Sequence, residues 1–299
     1  MRTALLWAIM LLCPMLLVAE NGRGQNRGIL AAALAASPPS QTVFDQPLSV
    51  ERIKRKPKKA APGDKYELSC FHFPGLRVKQ LDLGEIGAAE LAILPEEARG
   101  KRIGCQERKA SGEIVIPAKA WSGYFKGAKA GYVLFDAEDG TNGGLGFAVF
   151  DGRDGKKLFE DLAVGEFRSA ETIESGLRLR YRRASAGSCS VVTEGPKCWS
   201  KLVEQMPGVA AEPMPGVAAE PMPECAKGYL EAKREMASGR CEAQRDNSET
   251  CGQREMQILD QQHWDQAPSV IAYDVEAEIG RSRQTVRAVG GELSCWPSD

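Results

Sequence analysis

A chain of 299 residues with 26% charged and 43% hydrophobic residues has the make-up of an ordinary globular protein, long enough for one large or two modest domains. Its net charge of −1 supplies no overall field that would draw it to nucleic acid or to a membrane surface, so neither is expected as a partner. Two histidines in the whole chain leave little material for His-dependent catalysis.

The chain opens with "MRTALLWAIMLLCPMLLVAE", where Arg2 precedes an uncharged, mostly apolar run over 4–19 followed by polar "ENGRGQNR". That is the layout of a secretory signal. The run falls short of the roughly 20 residues a membrane-crossing helix needs, so a removed leader is expected within 1–35, cleaved near 19 or near 35, and not an integral membrane protein. The expected location is secreted or periplasmic. Cysteine counting agrees: of nine cysteines, Cys13 goes with the leader, and Cys70, Cys105, Cys189, Cys198, Cys225, Cys241, Cys251 and Cys295 remain. An even set without a C-x-x-C pair reads as four disulfides and not as a zinc site. Cys70 with Cys105 and Cys189 with Cys198 are the expected local pairs, the second across a hairpin-like turn at Gly195 and Pro196. The other four are expected to pair among themselves in an order left open.

Residues 36–64 read as a basic flexible linker. "ERIKRKPKKAAPGDK" places six cations within 52–59 and almost nothing apolar, which suits a solvated arm or a contact with an anionic envelope polymer.

The next section, 65–203, reads as a β domain. "YELSCFHF", "GEIVIP", "GYVLFD" and "GFAVFD" are short strand-like runs, and "GLRLRYRR" alternates Leu177, Leu179 and Tyr181 with Arg178, Arg180 and Arg182. "GAAELAILPEEARG", 87–100, is the clearest helical candidate here, from its Ala, Leu and Glu content. Residues 204–223 hold "MPGVAAEP" twice and the start of a third copy, a Pro-rich tandem-repeat loop. Over 224–265, "PECAKGYLEAKREMASGRC" and "ETCGQREMQILDQQHW" read as a disulfide-tied helical hairpin, its first helix stopping near Gly239 and its second running from about Thr250 to His263. Then "SVIAYDVEAEI" sets Ile271, Tyr273, Val275, Ala277 and Ile279 on one face and Asp274, Glu276 and Glu278 on the other. Three strands alone make a marginal sheet, so 266–299 is expected to rejoin the front sheet. The predicted fold is mainly β (α+β): an antiparallel β-sandwich or open barrel with a disulfide-tied helical hairpin inserted before the last strands.

Two stretches could carry chemistry. "FDAEDGTNGGLGFAVFDGRDGK" is rich in acids and glycines. It does not match the EF-hand spacing, but an irregular calcium site on Asp136, Glu138, Asp139 and Asn142 would suit calcium's flexible oxygen shell. Asn-Gly and Asp-Gly between apolar runs are also turn signals, and read so they join three strands into a meander. "VFDGRDGKKLF" resembles one blade-edge hairpin of the PQQ-type β-propellers; a propeller repeats its blade and this motif occurs once. The second stretch is the arginine row Arg178, Arg180, Arg182 with Arg183, a forked anion receptor or a solvent face paired to Glu276 and Glu278. His72 lies between Phe71 and Phe73, His263 near a helix end, and neither belongs to a nucleophile motif. The expected function is therefore a non-catalytic binding or envelope-associated structural protein meeting an anionic envelope polymer or another exported protein. The alternative is a secreted hydrolase or calcium-dependent carbohydrate-binding protein using the Asp-rich loops. No cofactor other than calcium is indicated.

Overall fold

The computed structural model describes residues 42–55, 66–95, 104–206, 223–246 and 248–298. The expected leader, most of the basic linker and almost all of the tandem repeat lie outside these residues.

The first five strands, β1 (Ser49–Lys54), β2 (Glu67–Phe73), β3 (Leu76–Asp82), β4 (Glu90–Pro95) and β5 (Ile114–Ile116), form an antiparallel sheet in that order. β2 and β3 are joined by Pro74 and Gly75, with Phe73 paired to Leu76 and Gly75 at φ 78°. Proline followed by a residue at positive φ is what a type II turn requires. Two expectations change here. The helix read over 87–100 is replaced by β4 at 90–95: Leu91 and Ile93 enter a core and the strand pairs with β3 from Leu76↔Pro95 to Leu81↔Glu90. Pairing with a neighbour overrides the helix propensity of Ala, Leu and Glu. Residues 49–54 of the supposed linker are β1, laid along β2 from Ser49↔His72 to Lys54↔Glu67.

The second sheet contains β6 (Gly123–Lys129), β7 (Tyr132–Thr141), β8 (Gly144–Asp151), β9 (Lys157–Ala163), β10 (Ser169–Ile173) and β11 (Gly176–Ala186). Helices α1 (Val191–Glu194), α2 (Pro196–Glu204), α3 (Cys225–Ala243) and α4 (Glu249–Gln261) follow, and β12 (Ser269–Ile279) and β13 (Gln284–Pro297) complete it. The order is β13-β12-β11-β9-β8-β7-β6, with β10 also on β11. The last strands thus rejoin the sheet beyond the helices, through ten residue pairs between β11 and β12.

The sheet curls into an open barrel. Its edge strand β13 is far from β7 in strand order, yet the Trp296 indole donates to the Asn142 carbonyl at 3.1 Å, and Arg281 from the β12–β13 turn reaches Asp151 at the end of β8. Inside lie Tyr132, Leu134, Phe147, Val149, Leu177, Leu179, Tyr181 and the odd-numbered residues of β12 from Ile271 to Ile279. Phe147 meets Phe167 and Tyr181 edge-on at 4.8 and 5.0 Å between ring centres, the geometry that aromatic quadrupoles favour. A second core holds Phe73, Leu76, Val78, Leu91 and Ile93 of the first sheet against Val133, Phe135, Ala148 and Phe150. The β7–β8 hairpin is therefore buried on both faces, one to each core.

The helices sit where β11 leaves and β12 enters the sheet, with Val191, Cys198, Leu202 and Tyr229 joining the barrel core. Ser248 caps α4 by accepting from the Cys251 amide at 3.2 Å. α3 continues past Gly239, whose missing side chain faces open space, so the expected stop signal is merely a tolerated interior glycine. The four disulfides are Cys70–Cys105, Cys189–Cys198, Cys225–Cys295 and Cys241–Cys251. The chain between Cys189 and Cys198 is not the expected hairpin-like turn but α1 and the start of α2, with Pro196 in the first turn of α2, where its absent N–H leaves no unmade bond. Among the described residues no helix is long and apolar enough to cross a membrane, and four disulfides suit an oxidising compartment.

Candidate functional site

The outward face of β10–β13 carries the arginine row. Alternation along β11 sends Leu177, Leu179 and Tyr181 into the barrel and Arg178, Arg180 and Arg182 outward. Register then sets each arginine opposite an acid of β12: Arg178 faces Glu278, Arg180 faces Glu276 and Arg182 faces Asp274. Arg178 donates to Glu278 at 2.8 Å. Arg180 holds Glu276 Oε2 from Nε and from a terminal nitrogen, both at 2.8 Å. Arg182 donates to Ser294 Oγ at 2.7 Å and to the Ala272 carbonyl at 3.2 Å.

Two further arginines, which the sequence reading missed, complete the face. Arg287 of β13 lies opposite Glu276 and donates to Oε1 at 2.6 and 3.1 Å, and Arg168 meets Asp274 at 2.8 Å. Arg287 sits in an alternating strand paired with β12, so its register was the only available signal, and register needs the fold.

Glu276 is the pivot. Its side chain is fully covered, with Arg178, Arg180 and Arg287 around it. Burial by itself would raise the carboxyl pKa, but hydrogen bonds from Arg287 and Arg180 and the charges of Arg287 and Arg178 outweigh it and hold the group below the ordinary glutamate value. The arginines are more open: the side chains of Arg168, Arg180 and Arg287 are 56%, 51% and 64% exposed. The face is thus a row of guanidiniums whose inner donors are fixed on buried acids and whose outer edges meet solvent.

Arg183 does not belong to this row. It faces Tyr273 across the strands and, on the barrel side, binds Asp161 at 2.9 Å. The same carboxylate takes a hydrogen bond from the Tyr181 hydroxyl. Burial first, and Asp161 second, push the Tyr181 phenol far above its ordinary pKa.

The acids of the Asp-rich stretch go separate ways. Asn142 and Gly143, at φ 52° and 70°, are the two central residues of the β7–β8 hairpin, between paired Thr141 and Gly144. This is the type I′ turn that Asn-Gly favours. Asp136 pairs with Lys126 at 3.2 Å; burial raises its pKa more than Lys126 lowers it. Glu138 accepts from Ser122, and Asp139 from the Gly140 amide at 2.8 Å. These residues lie along an irregular stretch of β7, where the pairing with β8 shifts register between Asp136 and Gly140. Among the described residues no three His, Cys, Asp or Glu side chains gather in a metal-holding group.

In the second loop, Asp151 is buried, accepts from the Arg153 amide at 3.0 Å and pairs with Arg281, while Asp154 accepts from the Lys156 amide at 2.9 Å. Burial works to raise the Asp151 pKa, yet Arg281 and Arg153 together keep it below its usual value. His263 follows α4 at φ 55°. His72 is buried on the first sheet, 2.7 Å from Glu51.

Comparison with protein-family models, curated proteins and solved structures finds no match for this chain.

Proposed function

We propose that this is an exported, non-catalytic binding protein, working in the secreted or periplasmic compartment, whose arginine face takes an anionic envelope polymer. One observation carries the reading: Arg168, Arg180 and Arg287 keep half or more of each side chain in solvent while Asp274 and Glu276 fix their inner donors. A guanidinium held on one edge loses less rotamer freedom when its other edge takes an incoming anion. The four disulfides and the apolar run over 4–19 support export.

Titration with a sulfated polysaccharide such as dextran sulfate tests it. Binding is expected to weaken between 50 and 200 mM NaCl, and Arg168→Gln/Arg180→Gln/Arg287→Gln is expected to weaken it at least tenfold at fixed salt. Equal binding by the triple variant would transfer the function to another surface. The competing reading is a secreted hydrolase or calcium-dependent carbohydrate-binding protein using the Asp-rich loops; saturable calcium binding with a raised Tm, which the same preparation can reveal, would favour it through a site on Asp136, Glu138, Asp139 and Asn142.

A further inference from the structure

The face of the first sheet that points away from its core is covered by the loop 104–113, and what it covers is charged. Arg77 and Lys79 alternate with Leu76 and Val78 on β3, so core packing on one side commits both cations to the other. They are 1% exposed, and Glu113 is 4% exposed. The Glu113 carboxylate lies between them, one oxygen against Lys79 Nζ and the other 3.5 Å from an Arg77 terminal nitrogen, and Lys79 Nζ also meets Glu90 of β4 at 2.7 Å. The loop closes over this group through its own backbone. Its Gly104 carbonyl accepts from Arg77 at 3.2 Å, its Glu107 carbonyl from Lys79 at 3.4 Å, and its Ala110 amide donates to Glu113 at 3.3 Å. At its start the Cys105 amide donates to Glu51, which also meets His72, and Cys105 itself is bonded to Cys70 on β2, the strand residue paired with Lys79.

A lysine and an arginine side by side around one carboxylate are a receptor for a carboxylate, and here the occupant comes from the chain itself. We infer that Arg77 and Lys79 form a binding site for a small carboxylate, that Glu113 occupies it as an internal ligand, and that the Cys70–Cys105 disulfide is the latch holding the loop 104–113 shut over it. Glu113 arrives at the end of that loop, so lifting the loop withdraws the internal carboxylate and uncovers both cations, with Lys79 still paired to Glu90 of β4. A dithiol reductant releases the latch: two electrons break the S–S bond, each sulfur takes up a proton as a thiol, and the reductant is left as a disulfide. The site is on the opposite sheet from the arginine face and stands independently of the function proposed for it.

Replacing Glu113 by Ala removes atoms equivalent to one acetate, so acetate is the probe. At pH 7 and constant ionic strength, exchanging chloride for acetate is expected to raise the Tm of Glu113→Ala saturably by several degrees. The same exchange is expected to leave the wild type unmoved, and also Glu113→Gln, whose amide fills the space. Acetate and chloride acting alike on Glu113→Ala, or acetate stabilising all three equally, would overturn the receptor. Should Glu113→Ala not fold, Cys70→Ser/Cys105→Ser, with Glu113 intact, serves instead. Trypsin is then expected to cut after Arg108 or Lys109 at least tenfold faster than in the wild type, and faster again in acetate than in chloride. Cleavage at the wild-type rate would overturn the latch, and fast cleavage indifferent to acetate would overturn the site beneath it.

Discussion

Glu276 and Arg180 face each other across β11 and β12, and Arg180 grips one oxygen of the carboxylate with two nitrogens at 2.8 Å while the other oxygen goes to Arg287. The acid is the buried member and the arginines are the half-exposed ones, which makes the pairing asymmetric. Removing one partner from a buried pair is damaging when the charge left behind is unpaired. Here the one glutamate serves three guanidiniums, whereas each arginine is only one of the three partners of the glutamate. Glu276→Ala leaves three guanidiniums crowded together and is expected to lower stability by about 2 kcal/mol, whereas Arg287→Ala leaves Glu276 still held by Arg180 and Arg178 and is expected to remain within about 1 kcal/mol. Urea denaturation of the two variants decides; equal losses would remove Glu276 from its central place.

Acid sensitivity follows from the same residue and from Asp151. Both carboxyls are held below their ordinary values in the folded protein, so at low pH the unfolded chain binds more protons, and stability rises with pH. Their contribution is fully present above the unfolded carboxylate range of about 4 to 4.5 and is lost as pH falls through the lower folded values. The stability of Glu276→Gln/Asp151→Asn is expected to change less between pH 5 and 3 than that of the wild type. Asp136, with its raised pKa, works in the opposite sense, so Asp136→Asn should make the acid loss steeper. Tm measured against pH for the three proteins checks both signs.

Sequence separation ranks the disulfides. Cys225–Cys295 closes 70 residues, whereas Cys189–Cys198 and Cys241–Cys251 close 9 and 10. By loop-closure entropy, replacing the first pair with serines is expected to lower stability by about 4 kcal/mol and either short pair by about 2.5 kcal/mol. Denaturation of the three double variants would expose any inversion of that order.

Three helical glycines should answer differently to alanine. Gly228 lies where α3 crosses β13, and a Cβ there would sit 1.8 Å from the Cys295 carbonyl oxygen, while at Gly239 and Gly252 it would meet nothing within 4 Å. Gly239→Ala and Gly252→Ala are each expected to raise stability by about 0.5 to 1 kcal/mol through helix propensity. Gly228→Ala should lower it despite that gain, because α3 must move off the strand to which Cys225 is bonded. Thermal melts of the single variants read the sign directly.

Much of this fold is written in local chemistry. The alternation of Leu177, Leu179 and Tyr181 with arginines, and of Ile271 to Ile279 with acids, assigns both strands and both faces, and Asn142–Gly143 names its own turn. Cysteine spacing gives Cys70–Cys105 and Cys189–Cys198. What local chemistry does not carry is partnership. "ELAILP" becomes a strand because β3 is beside it, Arg168 joins Asp274 of β12 from across roughly a hundred positions of chain, and Arg287, near Glu276 in sequence, meets it only through the register of β12 with β13. At Arg77 and Lys79, alternation with Leu76 and Val78 distinguishes the side away from the core but says nothing of a loop laid over it. Arg183 was assigned to the row by adjacency, although a strand sends neighbours to opposite faces.

The β7–β8 hairpin gives Leu134 and Val149 to the barrel and Phe135 and Ala148 to the interface with the first sheet. Loosening either core therefore strips one side of the same two strands and weakens the footing of the other core. Two sheets that look separable by strand order share a wall, and the unit from Thr42 onward is expected to melt in one cooperative step instead of two.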